Sequence, residues 1–218
     1  MSKDIRDAFF DEVYELALKD KDVFFISADA DAFSLRKFKQ NIPEQFINVG
    51  VAEQNMVLVA TGLALTGKKV FIYSITSFVS MRCFEQLKVN VCSMNVPVCI
   101  IGLGSGYSFS YDGPTHHATQ DIAIMRTLPE ITILNPCDQI SSRDAARTCY
   151  HKSGPVYVRI DKGAPEIIHD EESCRAGIKE LSNVSDIKIF STGYMTHFAN
   201  EIANSLDFDI DVVDMYVL

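Results

Sequence analysis

The chain has 218 residues, which is enough for one domain with a full core, or for one domain and part of a second. Its 20 Lys and Arg against 29 Asp and Glu give a formal net charge of −9, and no basic run interrupts the acidic balance. This composition argues against a nucleic-acid-binding surface and against binding to an anionic membrane. Small molecules are therefore the expected ligands.

The cysteines and the N-terminus indicate a cytoplasmic protein. The 6 cysteines form no C-x-x-C pair and several lie in apolar segments, so we expect reduced thiols and no metal site in this chain. The N-terminal "MSKDIRDAFF" lacks the apolar run of a signal peptide. The longest apolar stretch, residues 56–65, falls short of the ~20 residues that cross a bilayer.

Apolar residues at three- and four-residue spacing predict an amphipathic helix at 3–19, and "DVFFISA" predicts a buried strand at 22–28. Short apolar strands then alternate with longer helices, which predicts an α/β fold with a parallel sheet and helices on both faces. The further predicted elements are strand 46–49, helix 52–66, strand 69–74, helix 78–94, strand 96–101, helix 118–127, strand 131–134, helix 138–150 and strand 156–160.

The alternation breaks after residue 160 in a charged segment of little periodicity, which is typical of a linker. A single βαβ unit follows, with strands 187–191 and 210–214 around a helix near 196–206. One such unit is too small to close its own sheet, so it is expected to begin a second α/β domain. We predict a first domain at 1–163, a linker at 164–183 and an incomplete second domain at 184–218.

Ligands of an open parallel sheet collect at the carboxyl ends of its strands. One loop there, "GLGSG", does not make a dinucleotide fingerprint, because Tyr107 stands where the third glycine is required and no helix follows directly. A flexible loop rich in glycine is the better interpretation. The loops at this edge hold acidic, aromatic and histidine side chains, namely Asp29, Glu53, Phe78, Asp112, His116 and His117.

Three segments occur in order: "FINVGVAEQNMVLVATGLALTGKKVFIYSITSFVSMRCFEQL", "YDGPTHHATQDIAIMRTLPEITILNPCD" and "GPVYVRIDKG". Together they resemble the pyrimidine-binding domain of transketolase and its relatives, including 1-deoxyxylulose-5-phosphate synthase. The resemblance runs from about residue 3 to 163, and the tail resembles the start of the family's C-terminal domain. It implies thiamine diphosphate as the cofactor.

The resemblance gives Glu53 a catalytic role in cofactor activation. A carboxylic acid hydrogen-bonded to the aminopyrimidine nitrogen favours the imino tautomer, which removes the thiazolium proton. Desolvation by Val51, Val57 and a partner's surface favours the protonated acid, whereas the helix N-terminus favours the anion by only ~0.3–1 kcal/mol. In an isolated helix, Glu53 would instead be an ordinary solvated first-turn glutamate.

Phe78 matches the family's aromatic residue that stacks on the pyrimidine ring. The alternative is plain core packing, because Phe78 also belongs to an apolar stripe at helical spacing. Ile75 stands where transketolases usually place a further aromatic residue of the same pocket. Asp29, in "SADAD", resembles an acid that lies near the cofactor.

The motif "DGPTH" places Asp112 and His116 where the family binds substrate hydroxyls and assists proton transfers. His117 departs from the family pattern and is either an added substrate contact or a helix cap. Arg159 matches an arginine on the substrate phosphate, and its alternative is a surface arginine paired with Asp161. The histidine that transketolases carry upstream of "DGPTH" has no counterpart here.

The family holds Mg²⁺ and the diphosphate on a separate domain with a GDG motif, and this chain has no GDG. The resemblance therefore implies a subunit of a split enzyme, in a homo- or hetero-oligomer with a diphosphate-binding partner that holds Mg²⁺. The expected activity is transfer of a two-carbon ketol unit between sugar phosphates. The alternatives are a decarboxylating subunit, of the deoxyxylulose-phosphate synthase or 2-oxo-acid dehydrogenase beta type, and a catalytically silent assembly subunit.

Overall fold

The computed structural model describes residues 3–218, so the N-terminal limit of the predicted first domain lies outside the described residues. Within that range a parallel sheet of six strands forms, in the order β2-β1-β3-β4-β6-β5. Its strands are β1 (Val23–Ser27), β2 (Phe46–Asn48), β3 (Lys69–Ile75), β4 (Val98–Leu103), β5 (Thr132–Leu134) and β6 (Val156–Ile160).

Helices cover both faces of this sheet, which confirms the predicted α/β fold. Because β3 and β4 lie at its centre, they are buried along almost their whole length. The helices of this part are α1 (Ile5–Lys19), α2 (Leu35–Asn41), α3 (Glu53–Leu65), α4 (Thr76–Ser80), α5 (Phe84–Gln86), α6 (Asp121–Met125) and α7 (Gln139–His151).

Each face of the sheet has its own apolar core. On one face, α1, α2 and α7 pack over an aromatic cluster in which the Phe10 ring meets Phe25 and Tyr73 edge-on, at centroid distances of 5.3 and 4.8 Å. On the other face, α3 and the segments after β3 pack through smaller side chains such as Met56 and Val79. Burial on both faces explains why the strands read as continuous apolar runs in the sequence.

Two predicted helices differ in the structure. The helix predicted at 78–94 is divided into α4, α5 and a π-helical turn at Leu87–Cys92. Ser80 Oγ donates to the Thr76 carbonyl and Cys83 Sγ to the Phe78 carbonyl, and such side-chain bonds compete with a regular helix. The helix predicted at 118–127 is shorter and spans only α6, while α2 was not predicted at all.

The segment predicted as a linker at 164–183 contains regular structure. It holds α8 (Glu171–Ala176) and β7 (Ile178–Glu180), and β7 pairs antiparallel with β9 (Asp211–Met215). β8 (Lys188–Ser191) pairs with β9 on its other side, and α9 (Met195–Ser205) connects the two, as the βαβ pattern predicted. The segment is therefore part of the small second sheet and is not a free linker.

The first helix is fixed to the end of the first domain. Asp4 caps α1 by accepting from the Asp7 backbone N–H, and its second carboxylate oxygen accepts from the Gly163 N–H at 2.8 Å. The Ile5 N–H donates to the Gly163 carbonyl at 2.8 Å, and Ser142 Oγ of α7 donates to the Ile5 carbonyl at 2.7 Å. α1 is thus held by residues more than a hundred positions away in the sequence.

We expect Asp4→Ala to lower the free energy of unfolding by about 1–2 kcal/mol, because it removes an N-cap and leaves the Gly163 N–H without its acceptor. Urea denaturation followed by circular dichroism measures the change. Asp22→Ala is the control, since the Asp22 side chain is 57% exposed and forms a surface ion pair with Lys68. Equal midpoints for the two variants would contradict the proposed capping role.

Candidate active site

Glu53 is placed by a sharp turn between β2 and α3. Gly50 lies in this turn with φ of +73°, a conformation that favours glycine, and Glu53 is the first residue of α3. Asn48 fixes the turn, because its Oδ1 accepts from the Gly50 N–H at 3.0 Å and from the Asp29 N–H at 3.1 Å. Asp29, at φ of +57°, is therefore tied to the same turn, although its side chain is exposed.

The Glu53 side chain is buried, with 3% of its surface exposed. Arg82 Nη1 donates to Glu53 Oε2 at 2.8 Å, so the carboxylate has a cationic partner. Burial raises the pKa of the nearby Cys83 thiol to about 12, and the Glu53 charge acts in the same direction. Cys83 is accordingly an unreactive thiol beside this carboxylate.

Phe78 lies on α4, which begins directly at the end of β3. The helix packs against β4 at Gly102, where a Cβ atom would come within 2.8 Å of Thr76 Oγ1. The Phe78 ring is half-buried, and the Arg82 guanidinium lies over it with Cζ 4.0 Å from the ring centroid. Ile75, also half-buried, is the last residue of β3 and lies three positions before Phe78.

The "DGPTH" segment reaches the same place from the loop after β4. Ser77 Oγ of α4 donates to the Thr115 carbonyl at 2.7 Å, which anchors the segment. The His116 ring then meets the Phe78 ring edge-on at 4.9 Å, and its Nδ1 lies 3.0 Å from Thr115 Oγ1. Glu53, Arg82, Phe78 and His116 therefore form a continuous row of contacts.

His117 and Asp112 do not share this row in the structure. His117 Nε2 lies 3.4 Å from the Ser110 carbonyl, and its ring meets the Tyr107 ring at 4.9 Å, so the side chain packs on its own loop. Asp112 ends a 3-10 turn at Ser110–Asp112 and is exposed. The helix-capping alternative for His117 is not supported, because these partners belong to the loop and α6 begins only at Asp121.

Arg159 pairs with Asp121 and not with Asp161, the partner considered in the sequence analysis. Arg159 Nε donates to Asp121 Oδ2 at 2.7 Å, and the Tyr157 hydroxyl donates to the same oxygen at 2.8 Å. Burial raises the pKa of Tyr157 well above its usual range, and the Asp121 charge adds to this effect. The Arg159 side chain is 12% exposed and Asp121 is 1% exposed, so this is a buried ion pair.

Asp161 instead organises the glycine-rich loop after β4. Its carboxylate accepts hydrogen bonds from the Ser105 backbone N–H at 2.9 Å, from Ser108 Oγ at 2.7 Å and from Ser105 Oγ. The loop is therefore held at the end of β6, which opposes its prediction as a flexible segment. This bonding also explains why Asp161 is not available to Arg159.

A cavity of about 570 Å³ opens beside this loop and borders the row of contacts through Phe109. Arg159 and Lys162 bring positive charge to its wall and Asp161 a negative charge, and the rest of the lining is formed by serine, glycine, aromatic and apolar residues. The cavity is lined by Leu103, Gly104, Ser105, Gly106, Tyr107, Ser108, Phe109, Arg159, Asp161, Lys162, Tyr194, Met195 and Phe198.

Among residues 3–218, Cys137, His169 and Asp214 form a buried group of possible metal ligands, away from the row of contacts. His169 Nε2 lies 2.8 Å from Asp214 Oδ2, and His169 Nδ1 lies 3.1 Å from Ser173 Oγ. Both ring nitrogens already have protein partners, so the group acts as a polar joint between the two sheets. The absence of a metal site in the chain stays a prediction.

Arg82 and Asp121 were not found from the sequence, and Asp161 was considered only as a surface partner of Arg159. Arg82 follows Phe78 by four positions, which is the spacing of neighbours on one helix face. That spacing is the signal that could have found it. Asp121 and Asp161 gave no such signal, because their partners lie in other elements.

The family model described as "Transketolase, pyrimidine binding domain" matches residues 1–166. The fold thus presents a buried acid, Glu53, and an aromatic ring, Phe78, at the carboxyl edge of a parallel sheet. The chain belongs to the transketolase pyrimidine-binding domain family, whose members use thiamine diphosphate.

Two of the similar proteins are named as transketolase subunits. The chain is 34% identical over 198 residues to a subunit of the apulose-4-phosphate transketolase of Phocaeicola vulgatus, covering 89% of this chain and 64% of that protein. It is 34% identical over 195 residues to a 6-deoxy-6-sulfo-D-fructose transketolase subunit of a Clostridium species, covering 88% and 60%. The chain thus spans less than two thirds of the length of these relatives.

Solved structures share the fold. A structure described as "Split gene transketolase, inactive beta4 tetramer" has a TM-score of 0.86 and 28% identity, covering 100% of this chain and 73% of that one. A transketolase from Pichia stipitis has a TM-score of 0.87 at 18% identity, covering 99% of this chain and 35% of that one, and shows the fold alone. In residues 3–218, no helix combines the length and apolar character that a bilayer crossing requires.

Asp121→Ala is expected to lower the free energy of unfolding by about 3 kcal/mol, because it leaves Arg159 and the Tyr157 hydroxyl buried without their shared acceptor. Urea denaturation of the variant measures the loss. Asp31→Ala is the control, since Asp31 is 55% exposed and pairs with Lys39 at the surface. A loss for Asp121→Ala no larger than the control's would show that the buried pair does not stabilise the fold.

Proposed function

We propose that this chain carries the pyrimidine-binding half of the thiamine diphosphate site of a two-subunit transketolase. The observation that carries the proposal is that one planar group, the Arg82 guanidinium, contacts both the buried Glu53 carboxylate and the face of Phe78. A flat heterocycle with a hydrogen-bonding edge would have the same two contacts available. The residues therefore fit the aminopyrimidine of the cofactor.

When bound, the cofactor would supply a carbanion at its thiazolium ring. This chain's residues would bind and orient it: Phe78 would stack on the pyrimidine, Ile75 would close its side and Glu53 would hold a proton at the ring nitrogen. His116, at the edge of Phe78, would move protons at the substrate hydroxyls, with Asp112 binding them. Asp29 would support the Glu53 turn through Asn48.

The proposed substrates are sugars with an anionic end. The cavity beside the site carries Arg159 and Lys162, and an arginine whose Nε is used by Asp121 still presents the two terminal nitrogens of its fork. The names of two relatives, apulose-4-phosphate and 6-deoxy-6-sulfo-D-fructose transketolase, denote sugars with a phosphate or a sulfonate. His117 and Tyr107 would form the outer wall toward the substrate.

The proposed partner is a diphosphate-binding subunit that holds Mg²⁺; the names of two relatives as transketolase subunits support it. Alone in the cytoplasm, the chain is expected to be inert until it assembles with that partner. A decarboxylating activity is the second candidate, since 1-deoxy-D-xylulose-5-phosphate synthase of Methylacidiphilum infernorum is 31% identical over 215 residues, 94% of this chain and 33% of that protein.

Titration calorimetry with thiamine diphosphate and Mg²⁺ tests the shared site, first on this chain alone and then on its mixture with the diphosphate-binding subunit. Binding only in the mixture supports a site divided between two chains. Product analysis with an aldose acceptor and either a ketose phosphate or a 2-oxo acid as donor then separates ketol transfer from decarboxylation. Absence of cofactor binding in both titrations would favour a silent assembly subunit.

Glu53→Gln in the assembled enzyme is expected to lower kcat by at least about a hundredfold, because the amide cannot exchange a proton with the cofactor ring. Steady-state kinetics measure the loss, and circular dichroism checks that the fold is kept. Glu85→Gln, at an exposed glutamate of α5, is the matched control and should leave kcat unchanged. Turnover near the original value for Glu53→Gln would rule out the role proposed for Glu53.

A further inference from the structure

Arg82 contacts both groups that the proposed function assigns to the cofactor ring. Its Nη1 donates to Glu53 Oε2 at 2.8 Å, and its Cζ lies 4.0 Å from the centroid of the Phe78 ring. A guanidinium is planar, stacks on aromatic faces and donates hydrogen bonds from its edge. In these respects it offers Glu53 and Phe78 what an aminopyrimidine would offer them.

We propose that the Arg82 guanidinium fills the pyrimidine pocket when the cofactor is absent. The guanidinium must leave the pocket before the cofactor ring can bind. The proposal rests on the proposed function. Pyrimidine binding itself does not require Arg82, since Glu53 and Phe78 would suffice for it.

The two occupants exclude each other on steric grounds. A planar ring stacked on Phe78 would lie at roughly 3.5–4.0 Å, the optimal separation of carbon atoms in contact. The guanidinium already occupies that layer at 4.0 Å, and His116 meets the ring edge-on. The cofactor ring therefore gains its stacking surface only when the guanidinium moves.

Arg82 is free to move where Glu53 is not. The Arg82 side chain is 43% exposed, whereas Glu53 is 3% exposed. Gln54 Nε2 donates to the Arg82 carbonyl at 3.1 Å, which holds the backbone in place, and Arg82 lies in the break between α4 and α5. The long side chain can consequently swing into solvent while its backbone stays fixed.

The exchange also changes the charge beside Glu53. A buried carboxylate without a partner is costly, so Arg82 stabilises the empty site by pairing with it. The same hydrogen bond engages Glu53 Oε2, an atom that would otherwise be available to the cofactor ring. Departure of Arg82 would therefore make room for the cofactor ring and free Glu53 Oε2 to bind it.

The test measures the dissociation constant of thiamine diphosphate, with Mg²⁺ in excess, for the assembled two-subunit enzyme by titration calorimetry. Arg82→Ala is expected to bind the cofactor about three- to tenfold more tightly, because no molecule of the variant has a guanidinium in its pyrimidine pocket. Arg36→Ala is the matched control: Arg36 also lies over a phenylalanine, Phe33, at 5.2 Å, but at the exposed surface. It should leave the dissociation constant unchanged.

A second measurement uses the unmodified enzyme, so that it does not depend on the folding of a variant. A crystal structure of the cofactor-loaded assembly should show the Arg82 guanidinium displaced from the Phe78 ring, and one without cofactor should show it in contact. Equal or weaker cofactor binding by Arg82→Ala, or a guanidinium still stacked on Phe78 in the loaded enzyme, would overturn the proposal. Failure of the original assembly to bind the cofactor would reject the proposed function, and this inference with it.

Discussion

Parallel pairing of the strands is the constraint on which the candidate site depends. Because each crossover returns the chain to the same starting edge, the loops after β1, β2, β3 and β4 all emerge at the opposite edge. Side-chain hydrogen bonds then join loops that are distant in the sequence: Asn48 with Asp29, Ser77 with Thr115 and Asp161 with Ser105. The site is thus built from short local turns, and the sheet determines where these turns come together.

Two arginine–carboxylate pairs at this edge have different physical characters. Asp121 is enclosed by Arg159 and Tyr157, all three largely buried, so removal of any member leaves an unpaired polar group inside the protein. Glu53 is equally buried, but its partner Arg82 reaches it from the surface. The first pair is suited to holding a group in one position, and the second to exchanging one partner for another.

Periodicity located the strands and most helices of the first domain, because burial on both faces of the sheet imposes continuous apolar runs that are visible in the sequence. Periodicity did not predict the division of the helix at 78–94. The apolar residues keep their helical spacing there, and the spacing does not show that the Ser80 and Cys83 side chains bond to the backbone. The pairs Glu53–Arg82 and Arg159–Asp121 also escaped prediction. Which acid meets which arginine depends on how separate elements pack, and no local pattern encodes that.

The attachment of α1 has a consequence for synthesis on the ribosome. The carbonyl and N–H of Gly163 that hold Ile5 and Asp4 do not exist until most of the first domain has been translated. At roughly 5–20 residues per second, the helix waits on the order of ten seconds or more for its partners. During that interval Phe10 can already pack on Phe25 of β1 and Tyr73 of β3, so the apolar face of α1 can be covered well before its first turn is fixed by Gly163.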